Sequence, residues 1–270
     1  MTRPASDNSF SHDVAKFYES TLVPLIFEPY AADLAARAKA LEPRSVLEVA
    51  CGTGVVTRAL AAALPAECAI IATDLSGVMV AYGESLGTER PVTWGQADVN
   101  ALPYAAGSFD VVVCQLAAML FQDRPDAYRE VRRVLRPGGT FLFSLWREIE
   151  ENEFARVVTE AMGDLYPENP PDFLARTAYG HGSRAEIEAD VDAAGFRKWT
   201  LTRRDDISRA ANPGLPAIAY CQGTPLRREI EAREPGGIGR ATEVAAQALR
   251  TRFGDGPIAG RISAIVVAAG

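Results

Sequence analysis

Ser45 to Gly54 reads SVLEVACGTG. Ser45 to Ala50 is a short, valine-rich apolar run, the pattern of a buried β-strand. Gly52 and Gly54 then form a turn, and Val55 to Leu64 is a helix ended by Pro65. Glycines at this position remove side chains, so backbone amides can approach a ligand closely. The helix that follows offers its positive end to an anionic group. Glu48 places a carboxylate just before the turn, where it faces a cationic group or orients the loop. A lone glycine-x-glycine carries little weight, because a tight strand-to-helix turn without a ligand reads the same way.

The rhythm continues outward. Ala69 to Thr73 reads as a second strand and Ser76 to Leu86 as a helix with Ser76 as N-cap. Val92 to Ala97 is a third strand and Phe109 to Gln115 a fourth. Asp126 to Leu135 is a helix closed by Pro137, Gly138 and Gly139, and Thr140 to Trp146 is a fifth strand. Strands alternating with helices imply a parallel sheet covered on both faces. On such a sheet ligands sit at the carboxyl ends of the strands. Asp74 falls there, twenty residues beyond Gly54, where a carboxylate can accept both ribose hydroxyls. Asp98 and Val99 follow the third strand, where an acid can accept from an adenine amino group and an apolar side chain can pack on the ring. Each alone is equally a turn residue; together they ask for an adenosine.

Four stretches then occur in order: VLEVACGTG (46–54), ATDLS (72–76), GQADVNALPYAAGSFDVVVC (95–114) and EVRRVLRPGGTFLFSLW (130–146). With them, residues 45–146 resemble the core of the class I S-adenosylmethionine-dependent methyltransferases, nearest to the branch of quinone-biosynthesis enzymes. The resemblance implies a doubly wound, seven-stranded Rossmann-like α/β sheet, its seventh strand included, with S-adenosylmethionine as cofactor. It implies that Glu48, Ala50, Gly52 and Gly54 hold the methionine portion. Asp74 would hold the ribose, Leu75 and Met79 would lie against the adenine, and Asp98 and Val99 would hold it. Cys114 and Gln115, at the end of the fourth strand, would lie beneath the sulfonium. The N-terminal helical segment usually lids such sites, with Phe17, Tyr18 and Tyr30 as candidates and at least one of them expected in the core.

The remainder divides around this core. Residues 1–42 are expected to form a helical lid, with 1–9 frayed, and 43–146 the cofactor-binding core. Residues 147–182 form a cap insertion, 183–206 a core helix and strand, 207–257 a second cap insertion, and 258–270 the final strand. The cap carries Phe154, Leu165, Tyr166, Phe173, Leu174, Leu215, Ile218 and Tyr220, which favours a small, partly hydrophobic methyl acceptor; the alternative is that they only pack the cap onto the core. A base is needed only if the acceptor must lose a proton. His12 and His181 are the two histidines, and His181, in a glycine-flanked loop, is the weak catalytic candidate.

Composition narrows the setting. The chain has 270 residues, 48% hydrophobic and 23% charged, with a formal net charge of −7. That balance argues against a nucleic-acid partner. Cys51, Cys68, Cys114 and Cys221 lack metal or redox spacing, so no metal is expected and a reducing, cytoplasmic setting is. The polar N-terminus lacks a signal core, and no apolar run approaches the roughly 20 residues that span a bilayer. Two rival functions remain: a nicotinamide-dependent oxidoreductase, weakened by Thr57 where a third glycine would stand, and a catalytically silent scaffold using the same fold.

Overall fold

The computed structural model describes residues 12–270; the expected fraying of residues 1–9 lies outside them. Seven strands form one sheet in the order β3-β2-β1-β4-β5-β7-β6. They are β1 (Ser45–Val49), β2 (Ala69–Asp74), β3 (Thr93–Gln96), β4 (Phe109–Gln115), β5 (Leu135–Trp146), β6 (Trp199–Ala210) and β7 (Ile258–Ala269). β1 to β5 pair in parallel, while β7 runs antiparallel between β5 and β6. This is the doubly wound α/β sheet expected from the sequence.

The central strands are apolar on both faces because helices cover both. Val46, Val111, Val113 and Leu142 face α2 (Glu28–Ala40) and α3 (Val55–Ala63), meeting Leu34, Ala38, Val56 and Leu60. Leu47, Val112, Phe141 and Phe143 point the other way, into the larger core with Tyr128 and Val131 of α5 (Arg124–Val134) and Ile187 and Val191 of α7 (Arg184–Ala193). α4 (Gly77–Leu86) begins at Ser76, whose hydroxyl accepts from the Met79 amide, and closes over β2 and β3. Ser183 N-caps α7 in the same way, its hydroxyl oxygen accepting from the Glu186 amide.

α1 (His12–Leu22) passes through a π-helical turn at Val23–Phe27 directly into α2. Pro24 and Pro29 fall in the first two positions of the π-helical turn and of α2, so the helix changes its winding near each proline rather than ending. The cap comprises α6 (Glu153–Leu165), a second π-helical turn at Leu174–Ala178, α8 (Gly214–Gly223), α9 (Leu226–Arg233) and α10 (Ile238–Phe253). The expected boundary at residue 207 cuts a strand. β6 continues to Ala210, opposite Ile258, and the Ser208 hydroxyl donates to the Leu25 carbonyl at 2.7 Å. The charged run Arg203–Asp206 hides this continuity, since an edge strand needs only one buried face. No helix among the described residues is long and apolar enough to cross a membrane.

Candidate functional site

At the carboxyl ends of β1 to β5 lies a cavity of about 520 Å3, roofed by α1, both π-helical turns and α8. Its floor starts at the β1 turn. Ala50 (φ 55°), Gly52 (φ 56°) and Gly54 (φ 83°) all take left-handed conformations, strained for the alanine. The Cys51 amide donates to the Thr73 carbonyl at 2.9 Å, and the Gly52 amide donates to Asp74 Oδ2 at 2.8 Å. Asp74 Oδ1 accepts from the Ser76 amide at 2.8 Å. Asp74 therefore ties the end of β2 to the glycine turn, a shaping role the sequence did not reveal. Burial raises its carboxyl above the usual range, against the two amides that lower it.

Glu48 is 2% exposed and accepts from the Thr57 hydroxyl at 2.6 Å. Burial pushes its carboxyl up to about 8, opposed by the Thr57 hydrogen bond and reinforced by the charge of Asp74. Thr57, whose side chain disfavours a dinucleotide turn, is thus the partner that holds Glu48.

The two glycines of the turn differ. A Cβ on Gly52 would meet nothing within 4 Å, and Gly52 lines the cavity. A Cβ on Gly54 would come 2.5 Å from the Trp94 ring, and Gly54 stands outside the cavity wall. Trp94 and the left-handed φ of Gly54 both require a glycine here. Cys114 is likewise displaced from its expected place. It is fully buried in the core with Val112 and does not line the cavity.

The remaining candidates gather in one place. Ala50, Asp74, Leu75, Met79, Asp98, Val99, Gln115 and Tyr18 all line the cavity with Glu48 and Gly52. Asp98 is at the exposed rim, where one oxygen accepts from the Asn100 amide at 2.9 Å and from its side-chain nitrogen at 3.0 Å. Gln115 donates to the Phe27 carbonyl at 3.2 Å, which fixes its amide, and leaves its buried Oε1 without a partner. Leu116, next in chain, is a non-glycine residue at φ 50°.

His181 does not line the cavity. It lies beside Arg124, Glu186 and Asp190, and burial with the Arg124 charge lowers its imidazole. His12 sits edge-on to Tyr82, 5.3 Å between ring centres. Tyr30 is core, 2% exposed, while Tyr18 stacks on Phe27 in the roof at 5.3 Å. The lid helix is fastened to the floor by Glu19, which accepts from the Thr53 hydroxyl and pairs with Arg58, both at 2.5 Å.

Sequence reasoning missed part of the wall: Phe27, Leu116, Ala117, Met119 to Phe121, Trp146 and Tyr179. Leu116 and Trp146 end or follow strands at the carboxyl edge, a position that could have found them. The π-helical turns that carry Phe27 and Leu174 leave no such mark, although π turns often stand at functional sites.

Comparison with known proteins agrees with this geometry. Residues 47–143 match the methyltransferase domain family. A malonyl-[acyl-carrier protein] O-methyltransferase of Hahella chejuensis is 35% identical over 102 residues, 38% of this chain and 36% of that protein. A demethylmenaquinone methyltransferase of Mycolicibacterium vanbaalenii is 32% identical over 160 residues, 56% of this chain and 66% of the relative. Over its methyltransferase domain the chain is similar to the class I S-adenosylmethionine-dependent methyltransferases. Its likeness spans from about a third to just under two thirds of the length of these curated relatives. Among solved structures, a Haemonchus contortus phosphoethanolamine methyltransferase in complex with S-adenosylhomocysteine superposes with TM-score 0.59 at 16% identity, covering 96% of this chain and 58% of that one. That likeness speaks for the methyltransferase fold alone. The match to residues 47–143 ends within β5 and so leaves the cap of this methyltransferase unmatched by the family's domain.

Proposed function

We propose that this chain transfers a methyl group from S-adenosylmethionine to a small, partly hydrophobic acceptor held beneath the cap. One observation carries the reading: a single cavity joins a wall of glycine turn and carboxylates to a wall of aromatic and aliphatic side chains. The first wall fits the cofactor. Gly52 leaves open space over a turn whose backbone is held by Asp74. Each Asp74 oxygen accepts one amide, and a carboxylate has about four acceptor sites, so ribose hydroxyls can still be received. Gln115 offers a buried carbonyl oxygen without a partner.

In this reading Glu48, Ala50 and Gly52 hold the amino-acid end of the cofactor, Asp74 the ribose, and Leu75, Met79, Asp98 and Val99 the adenine. Bound S-adenosylmethionine supplies an already activated methyl group. The protein then has to align an acceptor and exclude water. Among the described residues the titratable side chains of the cavity wall other than cysteine and tyrosine are the carboxylates Glu48, Asp74 and Asp98, with no histidine, lysine or arginine. Glu48, protonated near neutral pH in the free protein, gives up its proton when a cationic amino group arrives.

The absence of basic side chains from that wall supports a small acceptor over nucleic acid. All four cysteines are free and buried, which supports the reducing setting of the cytoplasm. Calorimetry with S-adenosylhomocysteine, run beside NADH, tests the reading. The first binds, with an enthalpy that depends on the buffer because Glu48 releases a proton, and the second does not. Binding of NADH alone would return the oxidoreductase; binding of neither would return the silent scaffold.

A further inference from the structure

The cap side of the cavity is built from two stretches far apart in the chain. Phe173, Leu174 and Tyr179 line it from the second π-helical turn and its ends, and Tyr220 and Pro225 line it from α8 and the entry to α9. The π-helical turn at Leu174–Ala178 is short, and its N-cap, Phe173, provides no side-chain hydrogen bond. The chain leading into it carries Pro170 and Pro171, which have no N–H to give. Backbone groups in such a segment need partners from elsewhere.

α9 supplies them with two charged side chains one helical turn apart. Arg233 donates to the Asn169 carbonyl at 2.5 Å and to the Pro170 carbonyl at 3.0 Å. Glu229 accepts through one oxygen from the Asp172 amide at 2.8 Å and from the Phe173 amide at 3.1 Å. A cation thus serves the carbonyls before the turn, and an anion serves the amides that enter it. Glu229 is 22% exposed at its side chain, and hydrogen bonds to a charged acceptor are the stronger kind. Its other oxygen meets Arg176 at 2.9 Å, but Arg176 is 58% exposed, and a pair of that kind contributes little. Glu229 itself stands outside the cavity wall.

We propose that Glu229 is a positioning residue for the methyl acceptor. By holding the Asp172 and Phe173 amides it fixes where Phe173 and Leu174 stand on the cavity wall. The proposal rests on the cofactor reading above and adds a residue that acceptor affinity depends on, although it touches neither ligand. A merely structural role would weaken both ligands together; a positioning role separates them, because the cofactor residues stand on the opposite, sheet side of the cavity.

The test measures binding of N-phenyl-1-naphthylamine, an uncharged apolar fluorescent probe, in saturating S-adenosylhomocysteine. The proteins are the natural chain, Glu229→Ala, Glu229→Gln, Arg176→Ala and Phe173→Ala. Glu229→Ala is expected to weaken the probe about three- to tenfold, with S-adenosylhomocysteine affinity held within about twofold. Hydrogen exchange at the Asp172 and Phe173 amides should quicken about tenfold in the same variant. Glu229→Gln keeps an oxygen for both amides, and Arg176→Ala leaves their bonds in place; each should hold probe affinity within about twofold. Phe173→Ala should weaken the probe at least as much as Glu229→Ala. Unchanged probe affinity in Glu229→Ala, an equal loss of probe and S-adenosylhomocysteine, an Arg176→Ala loss as large as that of Glu229→Ala, no loss in Phe173→Ala, or no probe binding at all would each overturn the proposal while S-adenosylhomocysteine still binds the natural chain. If S-adenosylhomocysteine does not bind the natural chain, the cofactor reading falls, and this proposal with it.

Discussion

The two walls of the cavity are built by different means. The floor, from Glu48 to Val99, is made of backbone held in left-handed turns and of carboxylates fixed by amides and a hydroxyl. The roof, from Tyr18 to Phe27 and Trp146 to Tyr220, is made of rings packed on rings. A wall of backbone and fixed charge tolerates little change and recognises one ligand. A wall of packed side chains can change its ligand by exchanging residues without disturbing the sheet beneath.

The sharpest way to break this comparison is at the two glycines. Gly54→Val sets a Cβ against Trp94 and a branched side chain at φ 83°. Overpacking and left-handed strain together should cost about 2–4 kcal/mol of stability, read by urea denaturation. Gly52→Ala meets open space, so it should cost only the left-handed penalty of about 1–2 kcal/mol and lose cofactor affinity instead. Equal stability losses in the two would merge the roles that the structure separates.

Glu48 gives a pH test of the floor. Its folded-state carboxyl lies at about 8 against an ordinary value of 4.5, so between those values the folded protein holds a proton that the unfolded chain has released. The ligand-free protein should therefore lose stability as pH rises from 4.5 to 8, by at most about 1.4 kcal/mol per pH unit, and level off above 8. Glu48→Gln should flatten that slope in denaturant titrations at several pH values. A slope unchanged by this substitution would place the proton elsewhere.

Asp74→Ala should weaken S-adenosylhomocysteine about tenfold to a hundredfold, the loss of about 1.5–3 kcal/mol of charge-assisted hydrogen bonding. Unchanged affinity in the folded variant would remove Asp74 from the cofactor site. The Glu19 clasp, half-buried, is a smaller contributor. Glu19→Gln should cost about 0.5–1 kcal/mol, seen in stopped-flow as a few-fold faster release of S-adenosylhomocysteine. His181→Ala should change that affinity less than twofold, since the side chain stands away from the cavity; a larger loss by calorimetry would return it to the site.

The floor was legible in the sequence because its determinants are local. SVLEVACGTG announces strand, turn and helix within a score of residues, and Asp74 and Asp98 follow their strands at once. What was not legible there was direction. Gly54 and Cys114 lie in the right elements, but which way a Cβ points depends on Trp94 and on the facing core. The roof was legible only in kind. Of the apolar cap residues, Phe173, Leu174 and Tyr220 reach the cavity, whereas Phe154 is buried core and Leu215 is 42% exposed. Nothing in their spacing separates those fates, because contacts from distant segments decide them. Trp146 meets Tyr30 and Tyr179, which lie on either side of it in the chain.

The place of β7 in the sheet governs the order in which the molecule can be made. Among the described residues β6 pairs with β7 alone, and β7 lies between it and β5. During synthesis β6 therefore emerges with neither of its edges matched, and stays so until α8, α9, α10 and residues 258–269 have followed. A twelve-residue strand waiting open is a hazard for sticking to another nascent chain. The Arg203-Arg204-Asp205-Asp206 run at its centre is the kind of charged block that keeps such an edge from pairing wrongly. The residues that obscured the strand are thus fitted to protect it before its partner arrives.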